Sequence, residues 1–163
     1  ADGLRPTGDR IRETLFNWLA PWITQANCLD AYAGTGALGL EALSRGATHV
    51  QFIENGRNVA EQLKSNLSVL KCTKSSVAQN DCLDWLSRPA HQTFGLVFVD
   101  PPFQHDLWSK TLFQLDEGGW LSDEAMVYVE SPKNTDYETP IGWIEHRQIK
   151  SGHVRATLYK TNT

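Results

Sequence analysis

Residues 27–39, NCLDAYAGTGALG, pack a strand, a glycine-rich turn and the start of a helix into one short run. Cys28 and Leu29 supply an apolar strand over Asn27–Ala31. Gly34 and Gly36 let the backbone turn sharply and approach a ligand without side-chain clash. Gly39 then lets the helix, which runs to about Ser44, pack close to the strand. A strand–turn–helix of this kind is the opening unit of a βαβ fold. The alternation of strand and helix then recurs along the chain. Strands are expected at His49–Glu54, Ser76–Asn80, Gly95–Asp100 and Met126–Glu130. The helical segments between them are Asn58–Leu70, a short turn at Leu83–Leu86, and Leu107–Leu115 with Asp106 as N-cap. An amphipathic helix, Asp9–Trp22, precedes them with Ile11, Leu15, Trp18, Leu19 and Trp22 on one face, and Pro21 is positioned to close it early.

Five such strands imply parallel pairing, right-handed crossovers and helices on both faces. Gly118-Gly119 separates the last helix from the fifth strand. Trp143–Ile149 and Val154–Tyr159 flank Ser151-Gly152 as a hairpin, which must add an antiparallel strand at one edge. The expected fold is therefore α/β: a doubly wound, Rossmann-like, mostly parallel sheet of seven strands ending in an antiparallel hairpin.

With 163 residues, the chain is expected to form one domain, residues 1–163, with a full core. No apolar stretch approaches a membrane span and no charged-then-apolar leader opens it, so no membrane partner is expected. It starts with Ala1 rather than Met, and residues upstream are therefore expected. Cys28, Cys72 and Cys82 lack metal-ligand spacing and read as reduced thiols of a cytoplasmic protein; no metal site is expected. The net charge of −4 argues mildly against a nucleic-acid partner. However, Arg5, Arg10 and Arg12 open the chain and Arg147, Lys150, His153 and Arg155 lie near its end. These form a basic surface if the two ends share a face, and ordinary solvated charge if they do not.

The chemistry concentrates at strand ends. Leu96-Val97-Phe98-Val99 runs into Asp100-Pro101-Pro102-Phe103. Two prolines end the strand and stiffen the backbone beyond it. They fix a carboxylate, a carbonyl and an aromatic ring at the carboxyl edge, where open α/β sheets bind ligands. Such a group can accept hydrogen bonds from a planar amine while the ring stacks on its heterocycle. The glycine loop also satisfies G-x-G-x-x-G, and Glu54 lies at the distance that suits a ribose, so NAD binding and hydride transfer compete. Asp30 favours a ligand carrying an ammonium group, such as S-adenosylmethionine, over a pyrophosphate. Asp81 is placed to accept from an adenine amine. Glu54 and Asp81 retain a plain alternative as turn or cap residues.

Asp30, Gly34-x-Gly36, Glu54, Asp81 and Asp100-Pro-Pro-Phe in this order resemble the class I S-adenosylmethionine-dependent amino-methyltransferases. RPTGDRIRETLFNW (5–18) and LEALSRGA (40–47) resemble the bacterial 16S ribosomal RNA guanine-N2 methyltransferases more closely. The resemblance spans nearly the whole chain and thins beyond Pro132. Ala31-Tyr32 and Thr35 stand where Leu-Phe and Ser are commoner, and the basic arm that usually precedes Arg5 is missing. The resemblance implies S-adenosylmethionine as cofactor, with its methionine part at Asp30, Tyr32 and Gly34–Gly36, its ribose at Glu54 and its adenine at Asp81 and Cys82. It implies Asp100, Pro101 and Phe103 as catalytic residues and a guanine of small-subunit ribosomal RNA as target, in an assembled or nearly assembled 30S subunit. Pro102, Arg10 and Arg12 are the expected substrate contacts, the arginines alternatively pairing with Glu13 or sheet-end carboxylates. The protein is expected to act as a monomer. Within the same fold, DNA adenine-N6 and protein glutamine methyltransferases use related tetrapeptides, and a silent binding module is a further alternative.

Overall fold

The computed structural model describes residues 6–102 and 106–161, with side chains from residue 8 onward. Its elements are α1 (Pro6–Ile23), β1 (Asn27–Asp30), α2 (Ala37–Ser44), β2 (His49–Glu54), α3 (Arg57–Val69), β3 (Ser75–Gln79), α4 (Cys82–Leu86), β4 (Phe94–Val99), α5 (Trp108–Glu117), β5 (Leu121–Pro132), β6 (Ile144–Ser151) and β7 (Val154–Lys160). The strands form one sheet in the order β3-β2-β1-β4-β5-β7-β6. The first five are parallel and β7 runs antiparallel to both β5 and β6. The chain starts at the centre with β1, steps outward to β3, and returns to β4 on the other side of β1. That reversal opens a crevice at the carboxyl ends of β1 and β4.

Strand parity divides the core into two layers. Cys28, Val50, Phe52, Leu96, Phe98, Met126 and Tyr128 face α1, α2 and α3. Leu29, Ile53, Val97, Val99, Val127 and Val129 face α4 and α5. Apolar residues therefore occupy both faces of the central strands, as a sheet covered on both sides requires. On the second face Trp120 is fully buried, stacks on Trp85 at 4.7 Å between ring centroids, and donates its indole N–H to the Leu86 carbonyl at 2.9 Å.

Several expectations need correction. Helix α1 starts at Pro6 and runs past Pro21 to Ile23. A proline this near the end forfeits only its own N–H bond, while the buried Leu19 and Ile23 anchor the last turn. The buried face of α1 includes Phe16 and Ile23 in place of Trp22, which is 37% exposed, lies edge-on to His146 and carries Lys160 over its ring. Leu107, not Asp106, is the N-cap of α5, with no side-chain cap bond. Strand β5 starts five residues before Met126, at Leu121 opposite Phe94, and shifts register against β4 before Met126 pairs with Leu96. The hairpin contributes two strands, and its second strand, β7, lies inside the sheet between β5 and β6. Among the described residues no helix is long and apolar enough to cross a membrane.

Helix α1 packs along β6, so the two ends of the described chain share a face. Arg155 is nevertheless not part of an open basic surface. It lies over the Tyr137 ring, 5.3 Å from its centroid, and donates to the Thr135 carbonyl at 2.6 Å. Trp120→Ala is expected to cost about 3–5 kcal/mol, since it empties a large buried site and strands the Leu86 carbonyl. Urea denaturation would show a lowered midpoint; an unchanged midpoint would contradict this account of the second core layer.

Candidate active site

The loop between β1 and α2 is stitched to the strand ends by backbone bonds. Ala31 N–H donates to the Phe98 carbonyl at 3.0 Å, Ala33 N–H to Ile53 at 2.9 Å, and Gly36 N–H back to Ala33 at 2.8 Å. Gly34 and Gly36 have φ of 57° and 84°, the left-handed region that glycine adopts without strain. Their roles differ. A Cβ on Gly34 would meet nothing within 4 Å, so its backbone is open to a ligand. A Cβ on Gly36 would approach Leu63 Cδ1 to 2.6 Å. Gly36 is buried and serves the turn and the packing of α3; it does not line the cleft, contrary to its expected contact with a cofactor.

Gly39 has no room at all, because a Cβ would collide with the Phe52 ring and with Val50. This closeness brings its N–H to Asp30 Oδ2 at 3.1 Å. Asp30 is 3% exposed. Burial raises its carboxyl to about 7, the Gly39 bond opposes the rise, and the nearby Glu54 charge adds to it. Glu54 accepts from Gly34 N–H through Oε1 and from Gly56 N–H through Oε2, both at 2.8 Å. Asp81 caps α4 by accepting the Asp84 N–H at 3.0 Å. The turn-and-cap roles open in the sequence are thus both present. A carboxylate has about four acceptor positions, so neither bond uses up its capacity.

These groups line one cleft of about 690 Å³ at the carboxyl edge. Asp30, Tyr32, Gly34, Glu54, Asp81, Cys82, Asp100, Pro101 and Pro102 all face it, and so most of the expected site residues are brought together. Tyr32 and Thr111 hydroxyls are 2.7 Å apart; the Thr111 proton goes to the Leu107 carbonyl at 2.6 Å, which makes Tyr32 the donor between them. Burial pushes the Cys82 thiol up to about 12, so it is an uncharged wall rather than a nucleophile. Phe103 and Arg5 lie outside the described residues. Arg10 is exposed and away from the cleft. Arg12 pairs with Asp9 at 3.3 Å on the helix surface, not with Glu13 or a sheet-end carboxylate.

A second, smaller cavity of about 180 Å³ lies beside the first and shares Ala37, Leu38 and Asp100 with it. Arg12, Asp9, Tyr128 and Glu130 also line it, with Gly8 and Ile11. Burial holds the Asp100 carboxyl well above the ordinary carboxylate range, and Glu130 and then Asp30 push it the same way. Tyr128 donates its hydroxyl to Glu130 Oε1 at 2.6 Å. Among the described residues, Asp100 is therefore the one expected catalytic residue that faces both cavities.

The chain matches, over residues 1–160, the family described as "Conserved hypothetical protein 95". It is 46% identical over 163 residues to ribosomal RNA small subunit methyltransferase D of Haemophilus influenzae, covering 98% of this chain and 84% of that protein. The protein of the same name from Escherichia coli K12 is 48% identical over 159 residues, covering 97% and 80%. The solved structure of yhhF from Escherichia coli superposes with a TM-score of 0.91 at 45% identity, over 94% of this chain and 87% of that one. The chain belongs to the small-subunit ribosomal RNA methyltransferase D family.

In this methyltransferase the sequence reading missed Asn55 and Asn80, which line the larger cleft, and Tyr128 and Glu130, which line the smaller. Glu130 ends the apolar run of β5 as Asp100 ends that of β4, and the same strand-end rule would have found it. The raised Asp30 carboxyl has a consequence for stability. The folded chain holds a proton that the unfolded chain has already lost, so stability falls as pH rises from about 4 through about 7. Asp30→Asn should therefore make the ligand-free protein more stable than wild type at pH 8, by up to a few kcal/mol, with the difference vanishing toward pH 4. Thermal melts across that range would measure it, and a constant offset would contradict it.

Proposed function

We propose that the protein transfers a methyl group from S-adenosylmethionine to the exocyclic N2 amine of a guanine in small-subunit ribosomal RNA. The observation that carries this reading is Asp100, with the Pro101 and Pro102 backbone, at the junction of two cavities at the sheet switch point. One cavity suits the cofactor and the other a base. S-adenosylmethionine, when bound, supplies an electrophilic methyl on a sulfonium centre.

The larger cleft fits that cofactor better than a dinucleotide. Asp30 is a buried acid with one backbone partner, suited to an ammonium group and hostile to a pyrophosphate. The open backbone at Gly34 and the side chain of Tyr32 would line the methionine part. Glu54 would take the ribose hydroxyls on acceptor positions left by its two backbone bonds. Asp81 and Cys82 would meet the adenine edge. The ammonium charge would lower the Asp30 carboxyl again, so binding at pH 7 is expected to release a proton.

On the other side, Asp100 and the Pro101 carbonyl would accept the two N2 hydrogens and turn the nitrogen lone pair toward the methyl. Guanine N2 is a poor nucleophile, so orientation and polarisation carry most of the acceleration. The resemblance assigns stacking on the base to Phe103, and Pro102 would border the same opening. Arg12, from the wall of the smaller cavity, and Arg10, further out on α1, would meet RNA phosphate. The guanine must leave its stack, which an already looped RNA makes less costly. So small a domain has little surface for reading sequence, which favours an assembled or nearly assembled 30S subunit as substrate, in the cytoplasm and with a monomeric enzyme.

Three measurements test this. Calorimetry should show S-adenosylmethionine binding with proton release in buffers of different ionisation enthalpy, and no NAD binding; the reverse preference would overturn the cofactor. Asp100→Ala should keep cofactor affinity within a few-fold and lose turnover by about 100-fold or more. Incubation with unmethylated subunits and labelled cofactor, followed by nucleotide mapping, should place the label on guanine N2. Label on adenine or on protein would replace this reading.

A further inference from the structure

Beyond the carboxylate of the tetrapeptide, the smaller cavity holds a second one. Val99 of β4 pairs in register with Val129 of β5, so Asp100 and Glu130 follow at the same level on neighbouring parallel strands. Adjacent strands lie about 4.8 Å apart. Both residues share the parity of Phe98 and Tyr128, and both line the same cavity of about 180 Å³. Tyr128 donates to Glu130 Oε1 at 2.6 Å, which fixes the side chain and leaves acceptor positions unused. A pair of acceptors side by side suits two adjacent donors in one plane. Guanine carries such a pair on its Watson–Crick edge, N1–H beside the N2 amine, whereas adenine offers an acceptor beside a donor.

We propose that Glu130, positioned by the Tyr128 hydroxyl, accepts the N1–H of the target base and is the residue that selects guanine. This rests on the guanine-N2 reading above, with Asp100 taking the amine. A base with an unprotonated N1 would place a lone pair against the half-buried Glu130 carboxylate and leave that acceptor unmatched, which is a stronger basis for rejection than shape.

The test compares subunits reconstituted with either guanine or 2-aminopurine at the mapped nucleotide. 2-Aminopurine keeps the N2 amine and lacks the N1 hydrogen. Wild type should favour guanine in kcat/KM by roughly 10- to 100-fold. In Glu130→Gln the amide can still accept from Tyr128 and can donate to the bare N1, so the ratio should fall to about one or invert. The ratio is taken within one protein, and a partial loss of folded enzyme cancels from it. Wild type that uses both bases equally overturns the proposal even if the variant does not fold. A wild-type preference that survives unchanged in Glu130→Gln also overturns it, by assigning the reading elsewhere. Tyr128→Phe should lower the guanine preference partway while cofactor affinity stays intact; an unchanged ratio there removes Tyr128 from the device. Failure of the guanine-N2 reading itself would be visible separately, as wild-type label mapped to another atom.

Discussion

Asp30 is a carboxylate withdrawn from water with the Gly39 N–H 3.1 Å away, and the geometry of the reactive edge follows from how that contact is made. It requires α2 to come so close to β2 that no Cβ fits at Gly39 between the helix and the Phe52 ring. With the helix seated there, its N-terminal loop is drawn over the ends of β1, β2 and β4. The backbone bonds from Ala31 to Phe98 and from Ala33 to Ile53 hold it. A buried acid of this kind is unfavourable in isolation, and its raised proton affinity measures that cost. The fold tolerates it because the sheet core around it is dense and covered on both faces. A cation arriving at Asp30 would relieve that cost.

The same parity that buries Asp30 places three more acids. Glu54, Asp100 and Glu130 follow Phe52, Phe98 and Tyr128 by two residues, so all four carboxylates leave their strands on the α1–α3 side. Register sets their spacing. Asp30 pairs with Phe98, which puts Asp100 one pleat further out than Asp30 and level with Glu130. Glu54 lies at that level too, because Asp30 also pairs with Phe52. Asp30 and Glu54 face the larger cleft, Glu130 the smaller, and Asp100 both. Charge repulsion among them explains why the proton affinity of Asp100 is raised by both neighbours. One crowded edge therefore borders two adjoining cavities that lie side by side across the strands and share Asp100.

How much of this was legible depended on whether local pattern or tertiary context decided the outcome. The parallel core was legible because Leu96–Val99 and Val50–Ile53 are apolar almost without interruption, which a strand buried on both faces explains. Asp30, Glu54, Asp81 and Asp100 were legible because each ends or closely follows a strand. The insertion of β7 between β5 and β6 was not, since Val154–Tyr159 reads the same at an edge or inside a sheet. Trp22 looked like core because helical spacing cannot say how wide the buried stripe is; the packing of α1 against β6 rotates it toward His146 and Lys160. Gly36 looked like ligand backbone because the fingerprint does not reveal that Leu63 of α3 occupies the space above it. Glu130 was open to the strand-end rule, as the close of the apolar run of β5, but its place beside Asp100 needed the strand register.

An acidic floor also constrains how a polyanion can approach. A phosphate drawn down beside Glu130 and the proton-retaining Asp100 would meet an acidic, partly desolvated pocket, where Coulomb repulsion is several-fold stronger than in water. Only an uncharged portion of an RNA, a base swung away from its backbone, enters without that penalty. The phosphates must then be held at the rim, and α1 passes there with Arg12 on the wall of the smaller cavity and Asp9 pairing it at 3.3 Å. That ion pair is half-exposed and weak, of the kind that contributes at most about 1 kcal/mol. Arg12 would accordingly exchange Asp9 for a phosphate at little cost, with Asp9 left as a further acid on the cavity wall. The overall charge of −4 is then no obstacle to RNA binding. Acidic side chains are gathered in the smaller cavity, and Arg12 stands at its wall, where a phosphate would stop as a base entered alone.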